Sequence, residues 1–220
     1  MRDDRPLILL GAGGHAKVAL SLAHAAGRTV IGVCASELAP GTDWRGVPVL
    51  GGDEALDVID PAGVQLINGI GMMPGATRRQ ELFQRLGSRG FSFATICHPR
   101  ATVDPSARLA AGVQVMAGCV IQPDVAVGDN ALLNTGSSVD HDCVIGAHVH
   151  IAPGATLCGS VNVGPGVFVG SGATIIQGIA VGAGAVIGAG TTVVRDLPEG
   201  ATARGASPLL RSPHDKKGFA

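Results

Sequence analysis

Between Val103 and Val193 every sixth residue of the chain is valine, isoleucine or leucine. The series reads Val103, Leu109, Val115, Ile121, Val127, Leu133, Val139, Ile145, Ile151, Leu157, Val163, Val169, Ile175, Val181, Ile187 and Val193, with no break. An amphipathic helix repeats its apolar positions every three or four residues and a half-buried strand every two. A sustained period of six matches neither. It is the signature of a parallel β-helix, in which each six supplies one short strand and one tight corner. Three sixes close a triangular turn, so the aliphatic at place one points into a prism and stacks on its counterpart one turn away. The fifth place is small or medium, as in Ala107, Val113, Cys119, Ala131, Ser137 and Cys143, and also reads as inward. Glycines of the sixes (Gly128, Gly146, Gly164, Gly170, Gly182 and Gly188) are expected to permit corner geometries that a Cβ would obstruct. Sixteen sixes give a little over five turns.

Composition narrows the class further. The 220 residues allow one large or two small domains. Thirty-four glycines, no tyrosine and 3% aromatics suit a narrow aliphatic prism better than a layered core. A net charge of −1 gives no electrostatic reason to expect nucleic acid or an anionic membrane as partner. No apolar run approaches the length of a membrane span, and the N-terminus lacks a basic flank followed by an apolar signal core. A cytoplasmic protein is expected. Cys34, Cys97, Cys119, Cys143 and Cys158 form an odd set without C-x-x-C spacing, which predicts reduced thiols and no metal site.

The first 97 residues read differently. Pro6 to Gly14 is a buried strand running into a glycine-rich turn, residues 15–26 suit a helix, and Thr29 to Cys34 suits a second strand. Further strands are expected at Val47–Leu50, Val64–Ile70 and Phe91–Ile96, with a short helix at Asp53–Ile59. A helix over Thr77–Gly87 is expected to carry basic residues on its open face. The chain therefore divides into a Rossmann-like α/β domain (residues 1–97) and an all-β parallel β-helix with a C-terminal tail (residues 98–220). Gly11-Ala12-Gly13-Gly14-His15-Ala16 resembles the dinucleotide fingerprint, whose backbone amides at a helix N-terminus attract phosphate. Where a nicotinamide cofactor wants an acidic residue on its ribose, this chain has Cys34-Ala35-Ser36, with Glu37 just beyond. A nucleotide-linked substrate, a redox dinucleotide and a purely structural turn all remain open at this point.

Within the coil, His141 occupies place three, and its neighbours one turn away are Pro123 and Gly159, which leave room beside an imidazole. Asp142 follows directly; holding one ring nitrogen, it would free the other to accept a proton. The bland reading is a solvent-facing histidine on a corner. His150, half a turn further on, lines the same cleft only where two turns or two subunits face each other, and His148 reads as surface.

These motifs together resemble one family. Gly11 to His15, His98-Pro99, Asn134-Thr135, His141 to Gly146 and His150 to Gly154 are similar to the bacterial nucleotide-sugar acetyltransferases with a left-handed β-helix, the group of sialic-acid O-acetyltransferases and UDP-4-amino-sugar N-acetyltransferases. Within that group the likeness is greatest to members acting on GDP-perosamine. The resemblance implies a left-handed coil, a homotrimer, and acetyl-CoA lying along the coils between subunits. It implies His141 as general base, Asp142 as its acidic neighbour, and His150, Ser171 and Ala189 as cofactor contacts. It also implies that Gly13, Gly14, His15, Ala35, Ser36, Gly71 and Asn134 meet the nucleotide-sugar substrate. Two departures stand out: Ala35-Ser36 replaces an acidic pair of many relatives, and Gly205-Ala206-Ser207-Pro208 replaces Gly-x-Pro-Ala. The chemistry expected is direct acetyl transfer to a sugar amine, without metal. Open alternatives are O-acetylation with the same base, a non-catalytic scaffold, or a γ-class carbonic anhydrase holding a metal through His141, His148 and His150.

Overall fold

The computed structural model describes residues 4–205. The C-terminal tail from residue 206, including His214 and most of the Gly205–Pro208 departure, lies outside the described residues.

The coil follows the sixfold pattern rung by rung. Seventeen two-residue strands, from β6 (Ile96–Cys97) to β22 (Thr192–Val193), recur every six residues, each pairing a place-six residue with a place-one aliphatic or Cys97. Every rung pairs in parallel with the rung eighteen residues away, as Val120 does with Ser138. The rungs therefore sort into three parallel sheets, the faces of a left-handed prism. Place-one and place-five side chains fill it: Val139, Leu157, Ile175, Val113, Cys143 and Ala155 have no exposure. After Val193 the period slips, and a last strand, β23 (Thr202–Ala203), rejoins the face of β6.

The corners correct one expectation. The left-handed backbone, with φ near +60°, belongs to place four and not to place two. Every place-four residue from Gly112 to Gly190 has positive φ, including Asp124, Asn130, Asp142, His148 and Ser160. Asn and Asp tolerate that region best among non-glycine residues, because their short polar side chains bond locally. Place-two glycines serve close stacking instead. A Cβ on Gly128 would stand 2.6 Å from the amide nitrogen of Ala147 in the next turn, and one on Gly146 2.6 Å from that of Pro165.

The small domain is a five-stranded sheet in the order β3-β4-β2-β1-β5. Its strands are β1 (Leu7–Leu10), β2 (Val30–Cys34), β3 (Asp43–Trp44), β4 (Val47–Gly51) and β5 (Gln65–Asn68). All pair in parallel except β3, which forms a hairpin with β4 across Arg45 and Gly46, both at positive φ. Helices α1 (Gly14–Ala25) and α2 (Arg78–Gly87) cover opposite faces of the sheet, while residues 53–58 form a 3₁₀ turn where a short helix was expected. No strand forms at 91–95; Phe93 makes a single bridge to Leu66, and Ile96 already belongs to the coil. The core under α1, with Leu7, Leu9, Ala19 and Ile67, is continuous with the prism core through Ala94, Ile96 and Val113. That continuity fixes the sheet against the coil.

Candidate active site

The sheet order 3-2-1-4 of the parallel strands places its switch point between β1 and β5, where α/β sheets bind ligands beyond the strands' carboxyl ends. The glycine-rich turn lies there. Gly13 caps α1 without a side-chain bond, and both Gly13 and Gly14 have open space where a Cβ would stand. The first-turn amides of α1 thus face outward, a ready cradle for phosphate. Gly71 flanks the turn from the other side, with His15 Cβ 3.4 Å from where its own Cβ would be. A cleft of about 300 Å3 opens beside them, lined by Gly11, Ala35, Ser36, Glu37, Glu54 and Arg78 among others. Ala35 is buried and Ser36 exposed at its wall. Asp53, Glu54, Arg78 and Glu81 also border it, although nothing in the sequence singled them out. They come from the 3₁₀ turn and α2, and only the fold delivers them to the end of β2.

His15 reaches from this turn to the coil. Its Nε2 lies 2.9 Å from Gln114 Oε1, and Gln114 Nε2 donates to the Asn68 carbonyl at 2.8 Å. The amide orientation fixes the tautomer, so Nε2–H donates and Nδ1 keeps its lone pair. Burial, helped by the nearby Arg79 charge, pushes the His15 pKa down to about 4. His150 is likewise neutral. It is 7% exposed, its pKa is pushed down to about 4 chiefly by burial, and its Nδ1 lies 3.3 Å from the Met72 carbonyl. Asn134 Nδ2 donates to His150 Nε2 at 3.3 Å, and Phe168 packs edge-on against the ring. The loop after β5 thereby ties Gly71 to the glycine-rich turn and Met72 to His150. Asn134 joins this group from the coil side.

Arg79 also departs from its expected place on an open helix face. It is 3% exposed and donates to the carbonyls of Asn68 and Ile70 at 3.0 and 2.8 Å. His148, expected at the surface, is half-buried, with Nδ1 3.0 Å from Asn130 Nδ2 and its ring edge-on to Phe83.

His141 stands apart from all of these. It is 59% exposed on the corner between the faces of β13 (Ser138–Val139) and β14 (Val144–Ile145), whereas His150 lies on the third face. Asp142 Oδ2 accepts from His141 Nδ1 at 2.8 Å, and that hydrogen bond raises the imidazole pKa above its ordinary value. Nε2 is left with its lone pair outward. Gly159 supplies the space: a Cβ there would stand 2.7 Å from Nε2. Ser171 and Ala189 are exposed and lie one turn apart on a corner beside the His150 face. A single chain therefore does not bring His141, His148 and His150 together. Among the described residues no group of three His, Cys, Asp or Glu is placed to hold a metal ion.

Two family models match the chain: bacterial transferase hexapeptide (six repeats) over residues 124–159, and the PglD N-terminal domain over residues 6–86. No curated protein matches it. Among solved structures, the chain is 41% identical to a histidine-to-alanine mutant of GDP-perosamine N-acetyltransferase from Caulobacter crescentus, in complex with CoA and GDP-perosamine. The match covers 91% of this chain and 93% of that one, with a TM-score of 0.84. The acetyltransferase domain of PglB from Neisseria gonorrhoeae, in complex with acetyl coenzyme A, is 35% identical over 94% of this chain and 100% of that one, also at a TM-score of 0.84. The chain belongs to the hexapeptide-repeat sugar acetyltransferases. WeeI from Acinetobacter baumannii, 24% identical with a TM-score of 0.79, shares the fold.

As an acetyltransferase of this family the chain needs a base, a donor site and an acceptor site. The His141–Asp142 pair, the exposed corner of Ser171 and Ala189, and the turn of Gly13 to His15 lie in three separate regions of the fold. Among the described residues no helix is long and apolar enough to cross a membrane.

Proposed function

We propose that the chain transfers the acetyl group of acetyl-CoA to the amine of a nucleotide-linked 4-amino-4,6-dideoxy sugar, GDP-perosamine being the acceptor, with His141 as general base. The observation that carries this reading is the 2.8 Å bond between His141 Nδ1 and Asp142 Oδ2, which leaves Nε2 as an exposed acceptor of raised basicity. A sugar ammonium loses one proton to solvent; its free amine attacks the thioester carbon while Nε2 takes the second N–H proton. The tetrahedral intermediate collapses with cleavage of the C–S bond, and the imidazolium returns its proton to the departing thiolate. Help of this kind contributes about 10²–10⁴-fold, and holding both substrates together contributes at least as much.

The Gly159 amide supports the oxyanion. It has no acceptor among the described residues, lies against the His141 ring, and its neighbour Ser160 N is already engaged by His141 O at 2.8 Å. Residues 1–97 hold the nucleotide, its phosphates at the α1 N-terminus by Gly13, Gly14 and His15 and its base in the cleft of Ala35 and Ser36. Asn134 and Gly71 orient the sugar end. Acetyl-CoA runs along the coil past His150, Ser171 and Ala189, whose corner amides at 171 and 189 have no acceptor among the described residues. His141 and His150 lie on different sides of one prism, so a complete site needs the corner of one subunit against the His150 face of the next, as in a homotrimer.

The test is thiol release from acetyl-CoA against UDP-, GDP- and dTDP-4-amino sugars, with product masses and with His141→Asn alongside. Acetylated GDP-perosamine from the native chain and a loss of at least about 100-fold in the variant are expected. Near-native turnover by the variant across pH 6–9 would overturn the base assignment, and a strict preference for another nucleotide would overturn the acceptor.

A further inference from the structure

A second cavity, of about 360 Å3, lies between the loop leading into α2 and the coil. It borders the corner row of Asn130, Gly166 and Gly184, which flanks the His150 face on the opposite edge from the Ser171 and Ala189 row. It is therefore separate from the acceptor turn, the Ser171 and Ala189 corner and His141, while Met72 and Phe168 of its wall also touch His150.

Its wall contains Arg79. The guanidinium is 3% exposed, and all its partners are neutral: the Asn68 and Ile70 carbonyls on Nη1 and the Asn130 carbonyl on Nε at 3.4 Å. Nη2 is buried with no hydrogen-bond partner, and among the described residues no carboxylate pairs with Arg79. A buried charge without a counterion is costly, and an unsatisfied donor beside a cavity calls for a missing partner. The same wall carries the N-terminus of α2, a helix of ten residues whose N-cap, Thr77, makes no side-chain capping bond. Its first-turn amides and positive dipole end add to the Arg79 charge. Among the described residues no acidic side chain lines the cavity, and its far side is apolar, with Phe168 and Val186.

We propose that this cavity is an anion site that takes a phosphate group, either free or carried on an apolar or planar body. Arg79 and the α2 amides meet the phosphate, and Phe168 and Val186 meet the body. The chemistry fits three sources equally: the 3′-phosphate end of CoA, a nucleoside diphosphate, or free phosphate acting alone.

Gly166 offers a test that spares the fold. Its φ is +70° and nothing lies within 4 Å of a Cβ built on it, while Asn130 and Asp142 occupy equivalent corner positions at φ 56° and 61°. Gly166→Asp therefore sets a fixed carboxylate against Arg79, and Gly166→Asn is its uncharged counterpart. Equilibrium dialysis of the full chain with labelled inorganic phosphate should show saturable binding that Gly166→Asp and Arg79→Gln weaken at least tenfold and Gly166→Asn preserves. Competition then identifies the source. CoA displacing phosphate where dephospho-CoA does not points to the 3′-phosphate, displacement by GDP points to a diphosphate, and displacement by neither points to the free ion; each supports the site. No saturable phosphate binding, or equal binding by native chain and Gly166→Asp, overturns it, as does equal weakening by Gly166→Asn.

Discussion

Gly159 lies directly against the His141 imidazole, one turn along the coil at the same corner position. A methyl group on it would stand 2.6 Å from Cε1 and 3.2 Å from Nδ1, inside contact distance of both. The ring holds its bond to Asp142 because this residue has no side chain. Gly159→Ala is expected to fold normally, since the clash is with a mobile side chain, yet to lose about tenfold or more in kcat by disturbing the proposed base, general-base help contributing about 10²–10⁴-fold. Unchanged kcat with an unchanged melting temperature would show that the ring's position is set elsewhere.

Asp142 sits at φ 61°, where asparagine is also accepted, as Asn130 shows at φ 56°. Asp142→Asn thus removes the charge and keeps the corner. As the proposed base His141 must be neutral to act, and its pKa is raised by the Asp142 hydrogen bond, so the acidic limb of kcat is expected above the ordinary histidine value. In the variant that limb should move to lower pH while the plateau falls. A limb that stays in place would remove Asp142 from the base.

Acid should destabilise the chain through two buried or part-buried histidines other than His141. His15 and His150 have pKa values near 4 in the fold against an ordinary 6.5, so the unfolded chain takes up protons first as pH falls. Their contribution is complete above pH 6.5 and is lost between 6.5 and 4, by up to about 3 kcal/mol each. Urea midpoints measured from pH 7 to pH 4.5 should decline, and His150→Asn should decline less steeply. Parallel curves would mean that neither ring is held neutral by burial.

Place-two and place-four glycines should respond unequally. Gly146→Ala drives a methyl to 2.6 Å from the Pro165 nitrogen, a backbone atom that cannot swing aside, and should cost about 1–3 kcal/mol by overpacking. Gly178→Asn adds a side chain into open space at φ +72°, a region asparagine tolerates, and should cost about 1 kcal/mol or less. Equal losses in chemical denaturation would show that stacking distance is not what selects glycine at the second place.

The coil was readable because its core is one-dimensional: each inward residue answers only to its neighbours six and eighteen positions away, and Val103 to Val193 display that rule openly. His141, Asp142 and Gly159 were readable for the same reason, since a fixed period places them on one corner. The seam between the domains was hidden. Arg79 has the spacing of an ordinary surface arginine, and His148 that of an exposed corner, until α2 folds over the coil, burying the arginine and half-burying the histidine. Nothing in the sequence pairs Asn68 with Gln114 or Asn130, yet Asn68 bonds to both across the seam. Such contacts join positions 46 and 62 residues apart with no shared period, so no local pattern announces them.

The coil is graduated like a ruler. One turn takes eighteen residues and advances by one strand spacing, about 4.8 Å. Loss or gain of one whole turn would leave every remaining inward residue facing inward, whereas a deletion of five or seven would rotate all later residues off their places. Descendants of this chain can therefore alter the reach of the proposed donor groove only in whole-turn increments, with the interval between Ser171 and Ala189 as its smallest division.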